Sequence, residues 1–328
     1  MLEVLDGGLL TTIQDRGRPG YGHLGVPEGG ACDPWALAVA NLLVGNDPGA
    51  ATLECTLIGP ELRVLAPVVV GLAGADLGGI ERTTGRRLLP GASYALPRGA
   101  VVAFAGPPGG ETGVRAYLAL PGGVDVPLVL GSASTCLAGA FGGLHGRPLR
   151  RGDRIGPRRP GEEHSEHRWP DAAVSGVRPG LVRVVEGPDP AAARPAFERL
   201  VAGGWAVAPA SDRMGLRLAG EPLPAIGIGE TLSHGVTWGT IQVPSDGRPI
   251  VLLADHQPTG GYPVAGVAIV ADRPALGQLR PGSAVRFVTV TIDEARTALR
   301  DQRARLRGGA DAVAGVRRWD ELWRSARG

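Results

Sequence analysis

Two stretches of this chain gather residues whose types and spacing could do chemistry. The first, Thr11 to Asn46, packs Gln14, Asp15, Arg16 and Arg18 ahead of a capped helix, with seven glycines between Gly17 and Gly45. A guanidinium offers a planar fork to a carboxylate or carboxyphosphate, and a carboxamide can donate to a carbonyl while accepting from an amide. Asp15 could orient the neighbouring arginine, or the Asp–Arg pair could simply tie down a β-turn. The second stretch, Ser233 to Asp272, carries an apolar run that ends in Asp255-His256-Gln257-Pro258-Thr259-Gly260-Gly261-Tyr262-Pro263. Polar residues on a Gly-rich loop at a strand's end are a common way to build a site. His256 could act as a general base near neutral pH, and Gln257, Thr259 and the amides of Gly260 and Gly261 could hold an oxyanion; a polar turn is the plainer reading.

These residues need elements to hold them. Gly (53) and Pro (29) make up a quarter of the chain and are interleaved with short β-type runs, the texture of a mainly β fold with many turns. Strands are expected at Leu62–Val70, Ala100–Ala105, Val114–Leu120, Leu181–Glu186, Ile250–Ala254, Val264–Ala271 and Ala284–Val290, in a barrel or sandwich. A helix is expected over Pro34–Val44, with Asp33 as N-cap, Pro34 at the first position and Gly45 past the end. A second is expected from about Asp293 to Leu306, and a short tail helix around Trp319–Trp323.

The length of 328 residues favours two domains. Between about Gly146 and Gly180 the composition turns to Arg, Glu, His and Pro, so the partition expected is 1–150, an exposed linker over 151–180, a second β domain over 181–290 and a helical tail over 291–328. Glu162, Glu163, His164, Glu166 and His167 within that linker could chelate a metal, but a solvated loop is the better reading and no metal is expected. A short echo, Gln14-Asp15-Arg16-Gly17 against Ser211-Asp212-Arg213-Met214-Gly215, suggests similar loops on two similar β units.

Composition excludes several functions. The chain contains no lysine, so all 34 basic residues are arginine. A Schiff-base lysine, a Walker-type phosphate loop and a self-biotinylated carrier are therefore ruled out for this polypeptide. A formal net charge of +2 gives no reason to expect nucleic acid. No apolar run reaches the roughly 18 residues of a membrane span, and the opening Met-Leu-Glu-Val-Leu-Asp lacks a secretory pattern, so a cytoplasmic location is expected. Cys32, Cys55 and Cys136 are odd in number and widely spaced, which fits packing residues in a reducing compartment. Nucleophile elbows, zinc helices and dinucleotide fingerprints are missing from the sequence.

The run Thr12-Ile13-Gln14-Asp15-Arg16-Gly17-Arg18, followed by Gly25-Val26-Pro27, Gly30, Asp33, Ala40-Asn41-Leu42-Leu43-Val44-Gly45-Asn46 and Leu53-Glu54, resembles the opening of the biotin-dependent carboxyltransferase family. Members include the C-type subunit of 5-oxoprolinase, allophanate hydrolase subunit 2, a regulator that antagonises a sporulation-kinase inhibitor, and part of urea carboxylase. Ser211-Asp212-Arg213-Met214-Gly215, Gly239-Thr240-Ile241-Gln242-Val243-Pro244, Asp255 to Pro263 and Pro281-Gly282 extend the match to about Phe287.

The resemblance implies a cyclophilin-like β-barrel architecture. It also implies a hydrolase complex, with A-type and B-type 5-oxoprolinase partners, that opens 5-oxo-L-proline to L-glutamate with ATP hydrolysis. ATP would be bound largely by another subunit, and biotin is not expected on this chain. On that reading Gln14, Asp15, Arg16, Arg213, His256 and Gln257 are the candidate catalytic groups. Arg18, Gln242, Thr259, Gly260, Gly261 and Tyr262 would contact a small amide substrate. The alternatives are a regulatory protein that binds a kinase inhibitor similar to the B-type partner, and an allophanate hydrolase or urea carboxylase subunit.

Overall fold

The computed structural model describes residues 1–109, 113–160, 166–170, 180–188, 190–225 and 232–314. The chain divides into two compact units, one of residues 1–17, 33–176 and 303–328 and one of residues 18–32 and 177–302. The fold is mainly β with four α-helices among the described residues.

The first unit is built from β1 (Leu2–Asp6), β2 (Leu10–Gln14), α1 (Pro34–Leu42), β3 (Thr52–Thr56), β4 (Glu61–Val64), β5 (Val68–Gly74), β6 (Gly79–Glu81), β7 (Arg86–Arg87), β8 (Ala92–Leu96), β9 (Val101–Phe104), β10 (Arg115–Ala119) and β11 (Arg154–Ile155). Its strands form two antiparallel sheets, ordered β11-β1-β4-β9-β6-β7 and β2-β3-β10-β5-β8. Apolar residues of both sheets, among them Leu2, Leu62 and Phe104 from one and Leu53, Leu72 and Leu118 from the other, share a single buried core. Burying each such side chain contributes about 1.5–3 kcal/mol.

Helix α1 starts where its capping residues predict. Asp33 is extended and its side chain accepts a hydrogen bond from the Ala36 amide at 2.9 Å, ahead of Pro34. The helix is buried from Trp35 to Leu42 and lies against β5 and β10. Gly71 on β5 is what allows the close approach, since a Cβ there would sit 2.2 Å from the Ala40 carbonyl oxygen. A buried polar chain fixes the same junction: the Tyr117 hydroxyl donates to Glu54 at 2.6 Å and accepts from the Asp33 amide at 2.7 Å.

The second unit contains β12 (Leu181–Glu186), α2 (Pro190–Ala202), β13 (Trp205–Val207), β14 (Gly215–Ala219), β15 (His234–Gly235), β16 (Thr240–Gln242), β17 (Ile250–Leu252), β18 (Thr259–Gly260), β19 (Val264–Ala268), α3 (Arg273–Gln278) and β20 (Ala284–Thr289). Seven of its strands close into a barrel, β12-β19-β16-β17-β14-β13-β20, in which β12 and β20 are parallel. Closure removes the free sheet edges. The barrel core includes Val184, Leu216, Ile241, Val251 and Phe287, and Phe197 of α2 joins it where Gly266 of β19 leaves room for the ring. Helix α4 (Ile292–Ala314) begins in this unit and ends in the first.

The structure corrects several expected elements. Leu62–Val70 is two strands in different sheets, because Pro67 interrupts the run and cannot donate to a ladder. The strand expected through Ala271 stops at Ala268 and turns into a 3-10 turn over Val270–Asp272. Helix α1 ends at Leu42, two residues early, and α4 runs eight residues past Leu306. Sequence patterning does not anticipate α2, which carries Pro195 inside it, or the short α3.

The unit division also differs from the expected partition. Residues 18–32 group with the barrel, and the described part of 151–180 belongs largely to the sheet unit. There β11 pairs with β1, Trp169 is buried, and Glu166 accepts both Nη groups of Arg86 and the Ala95 amide. The composition of that stretch signals solvation, whereas a few well-placed partners fold it down. His164 and the tail around Trp319–Trp323 lie outside the described residues.

Candidate functional site

In the sheet unit, β2 ends at Gln14 and runs on into Asp15 and Arg16. Gln14 is fully buried; its Nε2 donates to Thr12 Oγ1 at 3.0 Å and to the Thr135 carbonyl at 3.3 Å, while its Oε1 has no partner among the described residues. The Asp15 carboxylate accepts from the hydroxyls of Ser132 (2.6 Å) and Ser134 (2.5 Å) and from the amides of Ala133 (2.6 Å) and Gly17 (2.8 Å). Three of those donors commit it to holding the 132–134 segment against the end of β2, and the fourth closes its own turn. Arg16 points outward: its side chain is 55% exposed, crosses Gly49 and pairs with Asp47 at 2.7 Å. Of the three, Arg16 presents a charged group to solvent.

In the barrel unit, residues 18–32 and the loop after β17 come together around one buried ion pair. Arg213 donates from Nε and Nη2 to the two carboxylate oxygens of Asp255, at 2.8 and 2.9 Å. Its Nη2 also reaches the Gly30 carbonyl at 2.7 Å, and Nη1 lies 3.3 Å from Cys32 Sγ. Both side chains are largely buried, so the pair is a fixed clamp with a bidentate geometry. The Gly29 amide donates to the Ala254 carbonyl at 3.1 Å and the Arg18 amide to the Glu28 carbonyl at 2.7 Å, which closes the 18–32 segment onto the same loop. Arg18 is 1% exposed, and its guanidinium passes beside Gly29.

His256 follows the clamp and is 5% exposed. Its Nδ1 lies 2.6 Å from the Gln257 carbonyl, which can only accept, so Nδ1 carries the proton and Nε2 is left as the basic nitrogen of the neutral ring. Burial pushes the imidazole below its ordinary value; the hydrogen bond to Gln257 and the charge of Glu28 oppose that shift, while Arg273 adds to it. The ring is therefore neutral near pH 7, as a base must be.

The Gln257 carboxamide donates weakly to Gln242 Oε1 at 3.4 Å, and the Gln242 Nε2 is buried with no partner among the described residues. Both carboxamides lie by Gly260, where a Cβ would sit 2.3 Å from the Gln242 nitrogen. Thr259 and Gly260 form β18 and pair with His234 and Gly235 of β15. Gly261 and Tyr262 are exposed on that loop, Tyr262 at 48%, and Thr259 is exposed beside them.

The barrel unit thus gathers Arg18, Arg213, Gln242, His256, Gln257, Thr259, Gly260, Gly261 and Tyr262, whereas Gln14, Asp15 and Arg16 belong to the sheet unit. Sequence reasoning passed over three participants. Asp255 is the acid that fixes Arg213; Glu28 acts electrostatically on His256; and Arg273 stacks over Trp238 with 4.6 Å from guanidinium carbon to ring centroid. Each is separated in sequence from the residue it serves, and Arg273 sits at the start of a helix too short to leave a periodic pattern. Among the described residues no cluster of three or more His, Cys, Asp or Glu side chains could hold a metal. The three cysteines are free and buried, and burial lifts the Cys55 thiol to about 12.

Residues 24–289 match the family model described as the carboxyltransferase domain, subdomain A and B. The chain belongs to that family. It is 38% identical over 306 residues to the C-type subunit of 5-oxoprolinase from Escherichia coli (strain K12), covering 92% of this chain and 95% of the relative. It is 31% identical over 325 residues to urea amidolyase of Lachancea kluyveri, where the match takes in 90% of this chain and only 17% of that protein. Among solved structures, the crystal structure of Kluyveromyces lactis urea carboxylase superposes with a TM-score of 0.81 at 27% identity, over 93% of this chain and 29% of the solved one.

Proposed function

We propose that this chain is the C-type subunit of a 5-oxoprolinase complex, which converts 5-oxo-L-proline to L-glutamate with ATP hydrolysis in the cytoplasm. The observation that carries the reading is the end-to-end likeness to the Escherichia coli 5-oxoprolinase component, in which the match spans nearly the whole of both chains. The urea amidolyase match occupies a small part of a much larger protein.

On this reading the barrel site binds the lactam or the intermediate derived from it. A lactam presents one acceptor and one donor side by side, and a carboxamide such as Gln257 or Gln242 can answer both. The buried, unpartnered Nε2 of Gln242 is a donor in want of an acceptor, which a lactam carbonyl would supply. Neutral His256 can take a proton as water attacks, and the Arg213–Asp255 clamp holds the backbone from which His256 and Gln257 project.

Resonance makes a lactam a poor electrophile, and phosphorylation of its oxygen would create a group that water can displace. The chain has no lysine and no Walker loop, which supports a phosphate site on an A-type or B-type partner. Biotin, if a relative's chemistry required it, would likewise arrive on another polypeptide.

The test is reconstitution. This chain is purified with the A-type and B-type 5-oxoprolinase proteins of its own genome, and ATP-dependent glutamate formation from 5-oxoproline is measured with and without it. Glutamate that forms only with the chain present supports the reading, and formation at the same rate without it overturns it. A second reading, a component of an enzyme for urea or allophanate, draws on the 31% identity to urea amidolyase; it predicts turnover of those substrates and none of 5-oxoproline.

A further inference from the structure

In the barrel unit, the proposed chemistry gives no role to one charged side chain of the site. Arg273 is mostly buried, with part of its surface still open to solvent, and its guanidinium lies on the Trp238 ring at 4.6 Å. Its Nε is out of reach of water and has no hydrogen-bond partner among the described residues. The carboxylate next to it in sequence is already taken: Asp272, 1% exposed, accepts from the Arg183 amide at 2.6 Å and from Arg183 Nη2 at 2.5 Å. Glu28 is close enough to act on Arg273 electrostatically, but no ion pair joins them among the described residues.

A buried guanidinium without a carboxylate is costly, and stacking on an aromatic face recovers only about 0.5–2 kcal/mol of that cost. Each such unsatisfied group calls for an explanation, and a ligand that completes it is one. With one face on Trp238 and Nε enclosed, the end of the guanidinium that remains to donate is its pair of Nη groups. Two parallel N–H bonds from that end match the oxygens of a planar carboxylate. The carboxylate of Glu28 nearby repels any anion, and a dianion about twice as strongly as a monoanion, which favours a carboxylate over doubly charged phosphate.

We infer that Arg273, laid on the Trp238 ring, binds the carboxylate of a small monoanionic ligand in the barrel unit. The same charge acts on His256, so the bound ligand would lie within electrostatic range of the neutral imidazole. This deepens the proposed function, and rests on it only for the ligand's identity: 5-oxoproline is a lactam that carries one such carboxylate.

Calorimetric titration of the full chain with 5-oxo-L-proline, neutral pyrrolidin-2-one, cyclopentanecarboxylate and inorganic phosphate tests it, in the wild type and in Arg273→Gln and Arg273→Lys. The two carboxylates are expected to bind more tightly than the neutral lactam or phosphate, and Arg273→Gln to weaken them by about 10- to 100-fold. Arg273→Lys keeps the charge without the fork and should fall in between. Binding of cyclopentanecarboxylate through Arg273 without binding of 5-oxoproline would uphold this site while overturning the proposed substrate. Carboxylate affinity unchanged in Arg273→Gln, binding of neither carboxylate, or tighter binding of phosphate would each overturn the inference. A separate reading comes from the His256 imidazole followed by NMR: Arg273→Gln should raise its pKa in a folded protein, and no change would place the guanidinium too far away to serve the site.

Discussion

In the sheet unit the turn Asp15-Arg16-Gly17 buries its carboxylate and exposes its guanidinium; in the barrel unit the turn Asp212-Arg213-Met214 does the reverse. The local device is common to both. Asp15 accepts from the amide of Gly17, and Asp212 from the amides of Met214 and Gly215, so each aspartate closes a turn on the backbone two residues ahead. The roles then diverge. Asp15 is the sheet unit's buried anchor and Arg16 its exposed arm, whereas Arg213 is the barrel's buried anchor and Asp212 is exposed. A short sequence echo therefore predicts the turn and not the side chain that matters, because which residue faces inward is set by partners far away: Ser132 and Ser134 in one case, Asp255 and Gly30 in the other.

The largest way to break the contrast is Arg213→Ala. Asp255 would keep its charge in a largely buried position with its fork removed, and the Gly30 carbonyl would lose a donor. Losing one partner of a buried pair is expected to destabilise the barrel unit by about 3–5 kcal/mol in denaturant unfolding. Arg213→Lys should recover only part of this, since an ammonium cannot bridge both Asp255 oxygens. A loss below about 1 kcal/mol would mean that the pair behaves as a surface contact.

The same contrast explains how far the sequence could be read. The helix α1 cap, the mainly β texture and the Gly-rich loops were legible because Asp33-Pro34, turn residues and short apolar runs act through near neighbours. Gln257 and His256 were legible as a polar loop at a strand's end. The division into units was less so: residues 18–32 join the barrel through backbone hydrogen bonds such as Gly29 to Ala254, which leave no mark on side-chain composition. Arg273 was invisible for a related reason. A lone arginine before a proline carries no signal until Trp238 and the committed Asp272 are seen around it.

Next in size is Asp15→Asn. The carboxylate accepts four hydrogen bonds, and an amide would turn a donor toward hydroxyl or backbone groups that already donate. A loss of about 1–3 kcal/mol is expected in the unfolding free energy of the sheet unit. Asp212→Asn, by contrast, keeps an acceptor at an exposed turn and should stay within about 0.5 kcal/mol of wild type. Equal losses at the two aspartates would erase the asymmetry between the turns.

A smaller effect belongs to His256 and depends on pH. Its folded value lies below the ordinary 6.5, so between the two values the unfolded chain binds more protons than the folded one. Stability from this group is therefore present above pH 6.5 and is lost as pH falls through the folded value. The unfolding midpoint of the wild type should drop across that window, and His256→Gln should flatten this part of the drop. Reconstituted activity, if His256 is the base, should fall over the same window as Nε2 gains a proton. A stability profile identical in the variant would mean that the imidazole titrates alike in the folded and unfolded chains.

The smallest expected change in stability is at Arg16, and it sharpens the comparison most. Its ion pair with Asp47 is exposed on both sides, with side-chain exposures of 55% and 42%, so Arg16→Ala should shift unfolding by no more than about 0.5 kcal/mol. Arg213→Ala and Arg16→Ala then form a matched pair, the same residue type in the same local turn, separated by several kcal/mol because one guanidinium is enclosed and the other is not. An arginine that contributes nothing to folding is free to serve a ligand or partner. In the reconstituted complex, Arg16→Ala is expected to lower glutamate formation while leaving the unfolding midpoint in place. Unchanged activity would remove Arg16 from the site, and a large loss of stability would show that it anchors the sheet unit as Arg213 anchors the barrel.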